Sequence, residues 1–103
     1  MKRALIILTI LLCSISLSSA REIEGIVIDT DSLPIEFANV TAFANDSVVG
    51  GGITDPSGLF KIKVGSDCNR LRVSFVGYDD VILNSIQQNM GKIVLQQTST
   101  TLQ

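Results

Sequence analysis

The chain has 103 residues, a formal net charge of −2 at neutral pH and no histidine. Its length allows one domain at most. Histidine is the commonest general base and the commonest transition-metal ligand, so its absence excludes Ser-His-Asp and Cys-His catalytic arrangements. The acidic balance gives no support to nucleic-acid binding, which requires a clustered basic face.

Residues 1–20 have the order of a secretory signal peptide. Two basic residues precede an apolar run over 4–12, and small polar residues then lead to Ala20. The run is well short of the ~20 residues that a helix needs to cross a bilayer. We therefore predict cleavage after Ala20 and export, with no membrane span afterwards. A retained anchor and a lipid-modified Cys13 are the alternatives, and the bulky leucine before Cys13 disfavours the second.

Cleavage after residue 20 would leave 83 residues with ten acidic and six basic side chains, a net charge of −4. A chain of this length can bury one small core. Cys68 would be its single cysteine, so no intrachain disulfide can form. Cys68 lies in a polar run and is predicted to be a loop thiol, with an intermolecular bridge as the alternative.

Short β-strand patterns recur about every ten residues and predict an all-β fold, a seven-stranded sandwich. In one of them apolar residues alternate with Lys61 and Lys63, as in a half-buried strand. Residues 84–89 are predicted to be a polar loop with room for one helical turn, and 97–103 a polar tail or linker. The domain is thus predicted over 21–96, with strands at 22–29, 37–44, 48–54, 59–64, 70–75, 80–83 and 92–96.

Residues 50–60, GGGITDPSGLF, form the densest motif of the chain. The spacing fits neither a Walker loop nor a dinucleotide fingerprint, so a phosphate site is excluded. Asp55, Pro56 and Gly58 instead occupy the positions that these residue types favour in a type I turn, which predicts a hairpin between the flanking strands. The turn does not account for Gly50 and Gly51. They predict a bulge or a close approach by another chain, and so a contact surface.

Two pairs of carboxylates, Asp29/Asp31 and Asp79/Asp80, have the chemistry for calcium binding or acid–base work. Neither pair has the spacing of an EF-hand loop. Aspartates beside turns usually accept hydrogen bonds from their own backbone, and we favour that role for both pairs.

The first strand is apolar on both faces. Ile26 and Ile28 lie on one face and Ile23 and Val27 on the other. One face is expected to join the core, which leaves Ile26 and Ile28 as a predicted contact surface.

Short motifs in a fixed order resemble the carboxypeptidase regulatory-like domain, a transthyretin-like β-sandwich, over residues 22–96. Ser32 stands where that family often has glycine. The last motif contributes Gly77 and Tyr78 as turn residues. The motifs are Gly25-x-Val27, Leu33-Pro34-Ile35, Ala38-x-Val40, Gly52-x-Thr54-Asp55-x-x-Gly58-x-Phe60 and Ser74-Phe75-x-Gly77-Tyr78.

The Ser-Phe-x-Gly-Tyr variant is most similar to the domain at the N-terminus of TonB-dependent outer-membrane receptors that import glycans and other nutrients. This resemblance implies a non-catalytic accessory domain without cofactor or metal, in the periplasm, at the outer membrane or at the cell surface. It also implies a protein partner, either the receptor plug or barrel or another envelope protein. A truncated receptor and a free-standing relative both fit. The alternative function is a secreted binding or adhesion module that recognises carbohydrate or protein.

Overall fold

A computed structural model describes residues 20–98, which form seven β-strands in two sheets. This confirms the predicted all-β sandwich. No helix long and apolar enough to span a membrane occurs in these residues. The predicted signal peptide lies outside them, except for Ala20. The strands are β1 Ala20–Ile28, β2 Asn39–Ala44, β3 Ser47–Ile53, β4 Leu59–Gly65, β5 Arg70–Ser74, β6 Val81–Leu83 and β7 Asn89–Val94.

The two sheets have three and four strands, in the orders β4-β1-β7 and β3-β2-β5-β6. All neighbouring strands are antiparallel except β1 and β7, which are parallel. β7 begins at Asn89, three residues before the predicted start, and residues 84–88 form a loop without a helical turn. β2 begins two residues later than predicted, because Phe37 has a left-handed backbone with φ 67°.

The core between the sheets is formed by every second residue of the strands. Ile23 and Val27 of β1 are fully buried, as are Leu71 and Val73 of β5. The period of two that predicted these strands therefore also selects the core. Burial of each such side chain contributes roughly 1.5–3 kcal/mol. The remaining buried members include Val40, Ala42, Phe60, Ile62, Val64, Ile93 and Leu95.

The predicted hairpin across residues 55–58 is wrong, although the turn is present. Gly58 N–H donates to Asp55 O at 2.8 Å, as in a β-turn. The strands on either side, however, belong to different sheets, because β3 pairs with β2 and β4 pairs with β1. The turn therefore carries the chain from one sheet to the other.

Gly50 lets the edges of the two sheets come together. A Cβ atom at Gly50 would lie 2.5 Å from the Lys63 carbonyl oxygen and 2.9 Å from a Val64 methyl group, both on β4. The close approach that the structure shows is made by β4 of the same chain, and contact with another chain stays a prediction. The predicted bulge is also present, as a register shift opposite Ala42 and Phe43. Gly50 is thus part of the packing between sheets.

Two turns at one end of the sandwich have the same construction. In each, one aspartate oxygen accepts N–H groups from the second and fourth residues that follow. For Asp29 the distances are 2.8 and 3.0 Å, and for Asp55 they are 2.9 and 3.0 Å. The third residue after each aspartate has a left-handed backbone, with φ 64° at Ser32 and 77° at Gly58. The Asp29 carboxylate therefore bonds its own backbone, as expected from turn chemistry.

Replacement of Ser32 by glycine is expected to stabilise the domain by about 0.5–1 kcal/mol. Glycine removes a left-handed penalty of roughly 1–2 kcal/mol and adds a backbone-entropy cost of roughly 0.5–1 kcal/mol. Urea unfolding monitored by circular dichroism would measure the difference. Ser32→Ala is the control, since it keeps the penalty; equal stability of the glycine and alanine variants would contradict the strain at this turn.

The described chain does not leave the fold at the end of β7. Asp79 N–H donates to Gln96 O at 2.9 Å, and Thr98 N–H donates to Gly77 O at 3.0 Å. Between them, Gln97 and Tyr78 form an antiparallel bridge. Residues 97 and 98, assigned to the tail from sequence, are thus joined to the sandwich, while 99–103 lie outside the described part.

Candidate binding surface

The outer face of the three-stranded sheet carries a groove of about 610 Å³, here called the outer groove. Its floor is formed by β1, with β4 on one side and β7 on the other. Gly25 and Gly91 also line it; Gly91 is exposed, whereas a side chain at Gly25 would meet the Phe60 ring. The side chains that define the outer groove are Glu24, Ile26, Leu59, Lys61, Asn89 and Lys92.

Strand register explains why these side chains meet. Ile26 lies opposite Leu59 of β4 and Lys92 of β7, which places the three in one row across the sheet. In the next row Glu24 lies opposite Lys61 and Asn89. Residues opposite one another point to the same face. The groove therefore has one row with two apolar side chains and one polar row.

The lysines of the outer groove are accessible. Lys61 Nζ lies 3.9 Å from a carboxylate oxygen of Glu22, and both side chains are exposed. Such an ion pair contributes little, about 0–1 kcal/mol. Within residues 20–98 Lys92 forms no ion pair. Both ammonium groups are therefore available to an external ligand.

The two isoleucines predicted as contact residues differ in exposure. Ile26 is half-buried on the floor of the outer groove. Ile28 is only 7% exposed, so its prediction as a contact residue is wrong. The chain folds back to form a bridge between Ile28 and Pro34, and the Ile28 carbonyl accepts the Leu95 N–H at 2.9 Å. Gly51, by contrast, is exposed on the edge strand β3.

The turn at residues 55–58 borders the outer groove through Asp55. One Asp55 carboxylate oxygen is already engaged by two backbone N–H groups of its own turn. Pro56 occupies the second turn position and is exposed, whereas Gly58 is buried against the Val27 carbonyl. Asp55 is therefore the residue of this turn that lines the groove.

Sequence reasoning missed Thr54, the only polar side chain in the buried set of the described chain. Its hydroxyl donates to Ile35 O at 2.6 Å and accepts the Ala38 N–H at 2.9 Å. Its backbone bonds Phe37 and Ala38. Thr54 thereby holds the loop in which Phe37 is left-handed. The position of this threonine, directly after a predicted strand and before a predicted turn, is the sequence feature that could have identified it.

The Ser-Phe-Val-Gly-Tyr stretch forms a tight turn after β5. Tyr78 N–H donates to Phe75 O at 3.1 Å, and Gly77 has φ 84°. The rings of Phe75 and Tyr78 lie 5.8 Å apart, centre to centre, and pack against the core. Val76 at the tip is 86% exposed. Gly77 and Tyr78 therefore position the C-terminal segment.

The second carboxylate pair does not bond its own backbone, which corrects the expectation for this pair. Asp80 accepts from Arg72 Nε at 3.0 Å, and Asp79 accepts from the Thr98 hydroxyl at 3.2 Å. The backbone here is occupied by the antiparallel bridge to the C-terminal segment. No group of three or more metal-ligating side chains occurs among residues 20–98.

Cys68 lies in the loop between β4 and β5 but belongs to the core, with 5% exposure. Its thiol lies 3.7 Å from the Arg70 carbonyl oxygen. Burial of the sulfur disfavours the intermolecular bridge, which requires access to a second thiol.

A family model described as the carboxypeptidase regulatory-like domain matches residues 22–102, which confirms the resemblance read from the motifs. A search of curated proteins gives no match.

Matches among solved structures include the following two proteins, of which the first shares the fold. A 9R-lipoxygenase from Cyanothece PCC8801 has a TM-score of 0.56 and 17% identity, over 74% of this chain and 16% of that chain. A streptococcal ancillary pilin has a TM-score of 0.47 and 16% identity, over 79% and 33% of the two chains. The chain therefore spans a third or less of the length of either protein.

Proposed function

This chain belongs to the carboxypeptidase regulatory-like domain family, and from this premise we propose that it is an accessory domain of a TonB-dependent outer-membrane receptor. The family domain is a β-sandwich and a non-catalytic regulatory or binding fold. On this proposal the protein is exported to the bacterial envelope and acts through protein contacts, without catalysis.

The observation that carries the proposal is the family match across the sandwich, from 22 to 102. The Ser-Phe-x-Gly-Tyr motif supports the receptor association, since its resemblance is to receptor domains of that type. The outer groove supports a binding role, because it combines exposed apolar and charged side chains on one face.

Site-specific photocrosslinking in the bacterial envelope tests this function. A photoreactive residue replaces Leu59, which is 50% exposed in the outer groove, or Ile82, which is 48% exposed on the other sheet. We expect a TonB-dependent receptor, or a protein bound to one, to be captured with the full chain. Capture of no envelope protein at either position, while the chain is folded and exported, would contradict the proposal.

A secreted module for carbohydrate recognition is the second candidate. The volume of the outer groove lies within the range of ligand pockets, about 300–1,000 Å³. A glycan array probed with the full chain tests it. Binding that is lost when Leu59 is replaced by glutamate would favour this candidate over the receptor domain, and a blank array would count against it.

A further inference from the structure

We propose that the outer groove binds an extended, acidic segment of a partner protein. An apolar side chain of the segment lies on Ile26 and Leu59, and its carboxylates lie beside Lys61 and Lys92. The inference rests on the proposed function as an interaction domain and adds the chemistry of the partner.

The apolar part of the site is already partly in water. Leu59 is 50% exposed although it lies directly opposite Ile26, and Val94 at the same face is 46% exposed. Covering such side chains removes apolar surface from water and therefore favours binding. A leucine-sized side chain on this floor provides that cover.

The arrangement of charges across the outer groove indicates the partner: Lys61 and Lys92 border it on the two outer strands, whereas Glu24 lies on β1 between them and Asp55 lies at its end. The three lysines among residues 20–98 all project from this face, while the whole chain has a net charge of −2. Lys61 on β4 and Lys92 on β7 border the outer groove, and β1 lies between these two strands. Two strand spacings separate these strands, about 10 Å, which accommodates one extended chain. The lysines are Lys61, Lys63 and Lys92.

The three arginines of residues 20–98 have partners within the fold, and Arg21 donates to the Ile86 carbonyl oxygen at 3.5 Å. The Arg70 guanidinium lies 4.5 Å from the centre of the Phe43 ring, and Arg72 is paired with Asp80 at 3.0 Å. The outer face of the four-stranded sheet is therefore less suited to an acidic segment than the outer groove.

Two glutamates on the groove face argue against an anionic membrane as the partner. Glu22 and Glu24 lie on β1 between the lysine-bearing strands, so a flat anionic surface would meet them together with the lysines. A narrow segment brings carboxylates to Lys61 and Lys92 only. Glu24 is left to accept a backbone N–H from the segment.

Titration of the ¹⁵N-labelled full chain with a peptide of alternating aspartate and leucine tests the site. We expect shifts of the Ile26, Leu59 and Lys92 amides, and no such shifts with an alternating lysine and leucine peptide. Lys61→Glu and Lys92→Glu should each weaken binding about fivefold. Glu24→Gln should strengthen it.

Lys63→Glu is the matched control, since it makes the same charge change on the same strand outside the outer groove. We expect less than a twofold effect from it. Equal loss in Lys61→Glu and Lys63→Glu would overturn the proposal in favour of unspecific attraction. Shifts confined to other surfaces, or stronger Lys92-dependent binding to phosphatidylglycerol vesicles, would also overturn it.

The two proposals fail in different ways. Photocapture of a receptor that is unchanged by Lys61→Glu and Lys92→Glu would leave the proposed function standing and remove the outer groove as its site. Absence of any captured envelope protein, with the peptide titration positive and lysine-dependent, would remove the receptor association and keep the groove.

Discussion

Gly58→Ala is expected to destabilise the domain by about 3 kcal/mol. Gly58 has φ 77°, at which an alanine costs roughly 1–2 kcal/mol. The added Cβ would also lie 2.5 Å from the Val27 carbonyl oxygen and 3.1 Å from Pro34 Cβ. Because Val27 belongs to the central strand of its sheet, its backbone cannot yield without loss of the ladder. Such overpacking adds about 1–3 kcal/mol.

Comparison with Gly77→Ala separates the cost of backbone strain from the cost of overpacking. Gly77 has φ 84°, but nothing lies within 4 Å of its Cβ position. Its replacement should therefore cost only about 1 kcal/mol, from backbone strain. Urea unfolding of the two variants gives the comparison. Equal losses would show that the contact with Val27 contributes nothing beyond strain.

Thr54→Val is expected to cost about 3 kcal/mol. Valine keeps the shape of the side chain but leaves the Ile35 carbonyl and the Ala38 N–H without a partner in the core. Each unsatisfied buried group costs roughly 1–3 kcal/mol. Thermal and urea unfolding would measure the loss.

Thr54→Ser retains the hydroxyl and removes one methyl group, so it should cost about 1 kcal/mol. A serine variant as unstable as the valine variant would show that packing, and not the two hydrogen bonds, makes Thr54 important. A large loss in valine alone would also explain how the strained backbone at Phe37 is maintained.

The fold class was predictable because it depends on local patterns. Alternation of apolar residues fixes the buried face of each strand, and Asp55 and Gly58 fix the turn between β3 and β4. Strand partners depend on contacts far apart in the chain, and no local signal distinguishes a hairpin from a crossing between sheets. For the same reason the parallel pairing of β7 with β1 was not foreseen.

The candidate site was predictable only in part. Ile26 was identified because its strand is apolar on both faces, but Lys92 joins it only through the parallel register. The burial of Ile28 results from the bridge to Pro34, which cannot be predicted from the alternation of apolar and polar residues along the strand. For Gly50 the sequence predicts a bulge or a close approach by another chain, and the neighbour that the structure shows is β4 of the same chain.

The parallel pairing of β1 with β7 also determines how the domain would carry tension. The chain enters at the start of β1 and completes β7 at the opposite end of the same sheet. Tension applied at the start of β1 and at the end of β7 would slide these neighbouring strands past each other. Their backbone hydrogen bonds would then be loaded together in shear, and several would have to break at once. The parallel pair would therefore resist extension along the strand direction.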